Sequence, residues 1–131
     1  MPITGLDHVV VTVSDIDAAV DFYTRLPGIE HVTYGGSDDA PVRHVLRFGD
    51  QKINLHGAGD EIEPRAPAAE PGDSDLCLLT DGDPDDLAAE VETAGIRIEL
   101  GPVERTGARG TLTSVYIRDP DGSLIEIATY A

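Results

Sequence analysis

Two residues near opposite ends of this chain have the types and settings that could do chemistry. His8 stands in Leu6-Asp-His8-Val-Val-Val-Thr-Val, and Glu126 in Ser123-Leu-Ile-Glu126-Ile. Both sit among β-branched and aliphatic residues, the composition of a buried strand. A charge in such a setting needs a partner or a metal. Imidazole and carboxylate on neighbouring strands are the start of a divalent-metal site. Taken alone, His8 reads first as a hydrogen-bonded core histidine. Glu126 has a second reading as the salt-bridge partner of Arg47 or Arg118. His56 closes an apolar run before Gly57-Ala-Gly59. It reads as a turn histidine bonded to backbone, or as the imidazole that completes a two-His, one-carboxylate set with open positions. Asp75 reads as a fourth ligand, as an acceptor orienting a ligating histidine, or as an exposed strand-start residue.

Arg105 is the best candidate for holding an anion. It lies in Gly101-Pro-Val-Glu-Arg-Thr-Gly-Ala-Arg-Gly110, read as a loop. Its glycines allow movement or close approach, and a guanidinium can grip a carboxylate with two parallel hydrogen bonds. The alternative is a surface charge in an acidic protein, and Arg109 is the second choice. His31, His44 and the four tyrosines read as packing or surface residues. Cys77, inside Leu76-Cys-Leu-Leu79, reads as a buried small hydrophobe.

The elements that must position these side chains occur twice. Residues 6–13 alternate as a strand. Ser14 or Asp15 caps a helix over 16–26, whose apolar face is Ala18, Ala19, Phe22 and Tyr23. Strands follow at 30–34, 42–48 and 52–56. A connector rich in proline and glycine occupies 58–73. The order then returns: a strand at 75–80, a helix at 85–94 opened by Pro84 and ended by Gly95, and strands at 97–99, 111–118 and 123–128. Asp119-Pro-Asp-Gly122 is the turn before the last strand. The expectation is an α+β fold of two βαβββ modules, about 4–57 and 74–130, forming one concave mixed sheet within a single domain 1–131. Superposing the halves sets His8 opposite Asp75 and Asn54 opposite Glu126. His56, two residues after Asn54, shares its strand face.

Composition limits the partners. The chain of 131 residues carries a net charge of −16, with one lysine against eight arginines. Nucleic acid and anionic membranes are poor partners for such a surface. Acidic turns such as Ser37-Asp-Asp39 and Asp81-Gly-Asp-Pro-Asp-Asp86 fit adaptation to high salt, which screens self-repulsion. No apolar run reaches the ~18 residues of a membrane span, and the first residues lack the charged and apolar regions of a signal peptide. One cysteine excludes an internal disulfide and fits a reducing, cytoplasmic compartment.

Over nearly its whole length the chain resembles the vicinal oxygen chelate superfamily of glyoxalase I, fosfomycin-resistance proteins, bleomycin-binding proteins and extradiol dioxygenases. The carrying segments are Leu6-Asp-His8, Asp21-Phe-Tyr-Thr-Arg-Leu26 and Asp119-Pro-Asp-Gly-Ser-Leu-Ile-Glu126. It is most similar to the glyoxalase domain-containing protein 5-like branch, through Phe48-Gly-Asp-Gln-Lys-Ile-Asn-Leu-His56, Glu63-Pro-Arg-Ala66, Ser74-Asp-Leu-Cys77 and Gly101-Pro-Val-Glu-Arg-Thr-Gly107. The resemblance implies a homodimer acting on a small vicinal-oxygen substrate. It also implies a divalent ion (Zn, Ni, Mn, Co or Fe) bound by His8 and Glu126, and a lactoylglutathione lyase-like reaction of lyase or isomerase type. Two departures matter: Asp75 stands where glyoxalase I-like sites have His, and Asn54 where they commonly have Glu. The metal set expected here is therefore His8, His56, Glu126 and Asp75, with Glu126 also moving a proton and Arg105 binding substrate. The alternatives are an extradiol-type non-haem Fe(II) dioxygenase and a ligand-binding or resistance protein without turnover.

Overall fold

A computed structural model describes residues 1–37 and 40–130. Asp38 and Asp39, expected in an acidic turn, lie outside the described residues. The chain divides into two compact units, residues 1–71 and 72–131.

The first unit runs β1 (His8–Val13), α1 (Ile16–Thr24), β2 (Glu30–Tyr34), β3 (Arg43–Phe48) and β4 (Gln51–Gly57). The sheet order is β1-β4-β3-β2, with β1 and β4 parallel and the other pairs antiparallel. Asp15 starts α1: its backbone is extended and its carboxylate accepts from Ala18 N at 3.1 Å, satisfying one orphan amide of the first turn. Ala19, Phe22 and Tyr23 are the buried face of α1, with the two rings edge to face at 5.0 Å. Ala18, expected on that face, is only half-buried. Val11, Val13, Leu46, Ile53 and Leu55 supply the buried part of the sheet. Burying each such side chain contributes about 1.5–3 kcal/mol.

The second unit repeats the order: β5 (Asp75–Leu79), α2 (Leu87–Thr93), β6 (Leu100–Gly107), β7 (Gly110–Arg118) and β8 (Leu124–Tyr130), in sheet order β5-β8-β7-β6. Its core gathers Val115, Ile117 and Ile125 with Leu87 and Val91 of α2. The turn before β8 is built by Asp119, whose Oδ1 accepts from Asp121 N at 3.0 Å and Ser123 N at 2.9 Å. The expected α+β class and the two βαβββ modules are met, but as two four-stranded mixed sheets rather than the one sheet expected. No helix among the described residues is long and apolar enough to cross a membrane.

Two boundaries differ in ways that touch function. Residues 97–99 form no strand, and the expected loop 101–110 is mostly strand: β6 and β7 are a hairpin with Arg105 paired to Leu112 and Gly107 to Gly110. Gly101 and Pro102 locally favour a loop. β6 is a sheet edge, where proline's missing donor is tolerated, and the register shifts between Leu100 and Val103 absorb it as a bulge-like irregularity. Gly101 has φ +112°, and a Cβ there would press on the Ser114 carbonyl oxygen. The second difference is α2, which is shorter than expected: Pro84 and Asp85 form a turn ahead of it.

Candidate metal and substrate site

Cross-strand partners share a sheet face, and alternate residues take opposite faces. In the first unit His8 pairs with Lys52, Val10 with Asn54 and Thr12 with His56. In the second, Asp75 pairs with Leu124 and Cys77 with Glu126. The registers correspond position by position. His8 occupies the place of Asp75, and Asn54 the place of Glu126, as the superposed halves implied. His56 corresponds to Ala128. It lies four residues beyond Lys52, so about 13 Å along β4 from the level of His8. Asn54 is half that distance from the level of His8. Within either unit, no three described His, Cys, Asp or Glu side chains gather at metal-binding spacing.

The side chains are more open than a buried-strand reading implied. His8, the first residue of β1, is exposed, and its Nδ1 meets Asp7 Oδ1 at 2.7 Å. That contact occupies Nδ1 and leaves Nε2 as the nitrogen able to ligate, the usual arrangement of a ligating imidazole backed by a carboxylate. Asn54 and His56 are half-buried. Asn54 Oδ1 and His56 Nδ1 are buried with no hydrogen-bond partner among the described residues. An unmet buried polar atom costs on the order of 1–3 kcal/mol. An acceptor in that position fits a cation-binding neighbourhood.

Glu126 is half-buried, and its Oε2 accepts from Ser114 Oγ at 2.6 Å. The salt-bridge reading of Glu126 fails for the arginines named for it. Arg118 is held by Glu99, with Nη2 to Oε2 at 3.0 Å, and Arg47 lies 3.7 Å from Glu30. The Arg118 contact holds the Glu99 carboxyl below the usual carboxylate range. Asp75 is exposed at the start of β5. Cys77 corrects the expectation of a packed thiol: the residue is exposed. Its sulfur is nevertheless partly desolvated, and this, with the charge of Glu126 and a hydrogen bond to it, pushes the thiol up to about 11. Imidazole, amide oxygen and carboxylate are each donor types that a divalent cation accepts.

Arg105 is placed by β6, not by a mobile loop. Because it pairs with Leu112 while Tyr116 pairs with Glu126, Arg105, Tyr116 and Glu126 share one face. Its Nε donates to Tyr116 Oη at 3.0 Å and its Nη1 to the Glu104 carbonyl at 3.0 Å. The cation lies 5.5 Å from the Tyr116 ring centre, and Arg109 lies 4.4 Å from that of Tyr130. Tyr116 and Tyr130, expected only to pack, therefore also seat guanidinium groups.

Sequence reasoning missed Glu61. It lies in the connector and, with Thr12, His56 and Arg65, lines a cleft of ≈ 520 Å³ whose remaining walls include Val10 and Pro64. The Gly59 amide bonded to Glu61 at 3.0 Å heads the causes that hold its carboxyl below the usual range. The only signal was a carboxylate a few residues past His56, with nothing in its spacing to single it out. His31 and His44, expected at the surface or in packing, are bonded to each other, His31 Nε2 to His44 Nδ1 at 3.0 Å. Their rings are 8° from parallel with centroids 5.2 Å apart. The centroids exceed the nitrogen separation by about two ring radii, so the rings meet edge to edge in one plane rather than stacking.

Comparison with known proteins agrees with this architecture. A virulence protein of Salmonella typhimurium, STM3117, is 48% identical over 130 residues, covering 99% of this chain and 87% of that protein. Its crystal structure matches with a TM-score of 0.91 and complete coverage of both chains. The glyoxalase domain-containing protein RDO1 of Mycosarcoma maydis is 44% identical over 99% of this chain and 70% of its own length. An integron cassette protein from the mobile metagenome of Vibrio cholerae, 47% identical, matches with a TM-score of 0.90 over 100% of this chain and 98% of that one. The model of the Glyoxalase/Bleomycin resistance protein/Dioxygenase superfamily matches residues 5–127, and the chain belongs to that superfamily.

Proposed function

We propose that this chain is a metal-dependent, glyoxalase-like enzyme of lyase or isomerase type, acting on a small substrate with vicinal oxygens. One observation carries the reading. In two registers that correspond position by position, polar donors recur at the same places on a sheet face: His8 with Asp75, and Asn54 with Glu126. His8 and Glu126 are the principal ligands. Asp75 and His56 complete the donor set, with Asp75 favoured by its equivalence to His8. When bound, a divalent ion (Zn, Ni, Mn, Co or Fe) would polarise the substrate's oxygens as a Lewis acid.

The chain's own residues do the rest. Asp7 holds the His8 ring through Nδ1. The Ser114 hydroxyl holds Glu126 through Oε2, so Oε1 is the atom that takes and returns the substrate proton. Arg105, seated on Tyr116, anchors an anionic end of the substrate. The active species is a homodimer in a cytoplasmic, reducing setting.

The test is metal content and reaction together. Protein loaded with each divalent ion and dialysed should retain the ion, and His8→Ala and Glu126→Ala should lose it while keeping a folded circular dichroism spectrum. Asp75→Ala and His56→Ala then rank the remaining donors. Full occupancy in both His8→Ala and Glu126→Ala would refute the reading. Oxygen consumption with a catechol would move the protein to the dioxygenase class.

A further inference from the structure

Thr12 lies four residues after His8 on β1, so the two share a sheet face. It is 4% exposed, yet its hydroxyl makes no hydrogen bond to any described residue. A hydroxyl so deeply placed ordinarily has a partner. Thr12 instead lines the cleft of ≈ 520 Å³ between β1, β4 and the connector. That volume lies within the range of small-molecule sites. Every residue lining the cleft belongs to the first unit.

The other polar groups of the cleft are already matched. Arg65 Nε donates to Glu63 Oε1 at 2.8 Å. Glu61 Oε1 accepts from the Gly59 amide at 3.0 Å, and this keeps the carboxyl acidic and ionised. An anion entering the cleft would face Glu61, and a cation would face Arg65. His56, the cross-strand partner of Thr12, belongs to the proposed metal donor set, so the cleft is part of the proposed site and not a second one. Val10, Pro64, Ala66 and Ala69 supply aliphatic walls. Beyond that donor set, the cleft offers a ligand one unpaired hydroxyl among apolar surfaces.

We propose that this cleft holds the distal end of the substrate, a short neutral aliphatic group carrying one oxygen, with the Thr12 hydroxyl bonded to that oxygen. The inference rests on the reading of this face as the substrate site, and it makes Thr12 a specificity-determining residue. The walls remove the alkyl carbons from water. A substrate with a charged end would lose its hydration without gaining a free counter-ion. One that lacks the oxygen would leave Thr12 unpaired, which is how a site built around a hydrogen bond rejects an analogue.

The probe is 2-pentanone, titrated into the full metal-free chain and followed by amide chemical shifts. Butyrate and n-butylamine are compared with it at one fixed ionic strength. Saturable shifts are expected with the ketone at residues 9–12 and 56 and along the connector. Both charged analogues should bind about tenfold more weakly or less. Thr12→Val keeps the shape without the hydroxyl and should weaken the ketone about fivefold or more. Thr12→Ser restores the hydroxyl and should recover binding to within about threefold of the unsubstituted chain. Equal ketone affinity in Thr12→Val and the unsubstituted chain would overturn the inference, as would a charged analogue binding as tightly as the ketone. Metal retention is measured on the same proteins. Metal held through His8 and Glu126 with no saturable ketone shifts would overturn this inference and leave the metal reading standing. Hydroxyl-dependent ketone binding by a chain that retains no metal would support the cleft and refute the metal reading.

Discussion

Ser114 donates its hydroxyl proton to Glu126 Oε2 at 2.6 Å across the β7–β8 ladder. The donor is fully buried and the acceptor half-buried, so the bond is shielded on one side and charge-assisted. Ser114→Ala should cost about 1.5–3 kcal/mol of stability with Glu126 present, and closer to 1 kcal/mol in a Glu126→Gln background. A double-mutant cycle by urea unfolding measures the difference. A coupling near zero would mean that the short contact contributes nothing net.

Cys77 should behave as an unreactive thiol despite its exposure. Desolvation first, then the Glu126 charge and hydrogen bond, lifts it from 9.0 to about 11. At pH 8 its thiolate fraction, and its alkylation rate by iodoacetamide, should be about a hundredfold below that of an ordinary cysteine. Glu126→Gln should recover only part of that, because desolvation remains. The folded thiol titrates above its unfolded value, so its contribution to stability is complete below 9.0 and is lost as pH rises through about 11. A rate profile with its midpoint near 9 would contradict this environment.

Arg105 is held by a strand and by Tyr116, with the remainder of its fork open. Binding of acetate or phosphate, followed by chemical shifts, should weaken roughly 10–100-fold in Arg105→Ala. Arg105→Lys should lose nearly as much, since lysine keeps the charge but not the fork. Metal retention should be unchanged in both. Tyr116→Phe, which removes only the Nε partner, should weaken anions less than Arg105→Ala. Identical affinities in all four proteins would make Arg105 a surface charge.

Stability should rise with salt. The net charge of −16 is spread over one small chain, and the Debye length falls from ~30 Å at 0.01 M to ~3 Å at 1 M. The thermal midpoint is expected to climb across that range and to level off at molar salt. An unchanged midpoint would count against adaptation to a saline milieu.

The sequence by itself determined the element order, the duplication and the pairing of positions. Those depend on local period and on turn chemistry, which neighbouring residues set. Alternating β-branched residues gave β1, Asp15 capped α1, and Asp119 built the turn before β8. The equivalence of His8 with Asp75 and of Asn54 with Glu126 followed, because two copies of one pattern take one register. Tertiary structure decided what pattern does not encode. Gly101 and Pro102 imply a loop locally, yet strand pairing on a sheet edge overrides them and turns the Arg105 segment into a hairpin. Cys77 sits in an apolar run, but β5 is also an edge, so alternation turns it outward beside Glu126. His31 meets His44, and Glu61 enters the cleft of Thr12 and His56, only because strand pairing and the path of the connector bring distant residues together. Contacts of that kind leave no periodic trace in the chain.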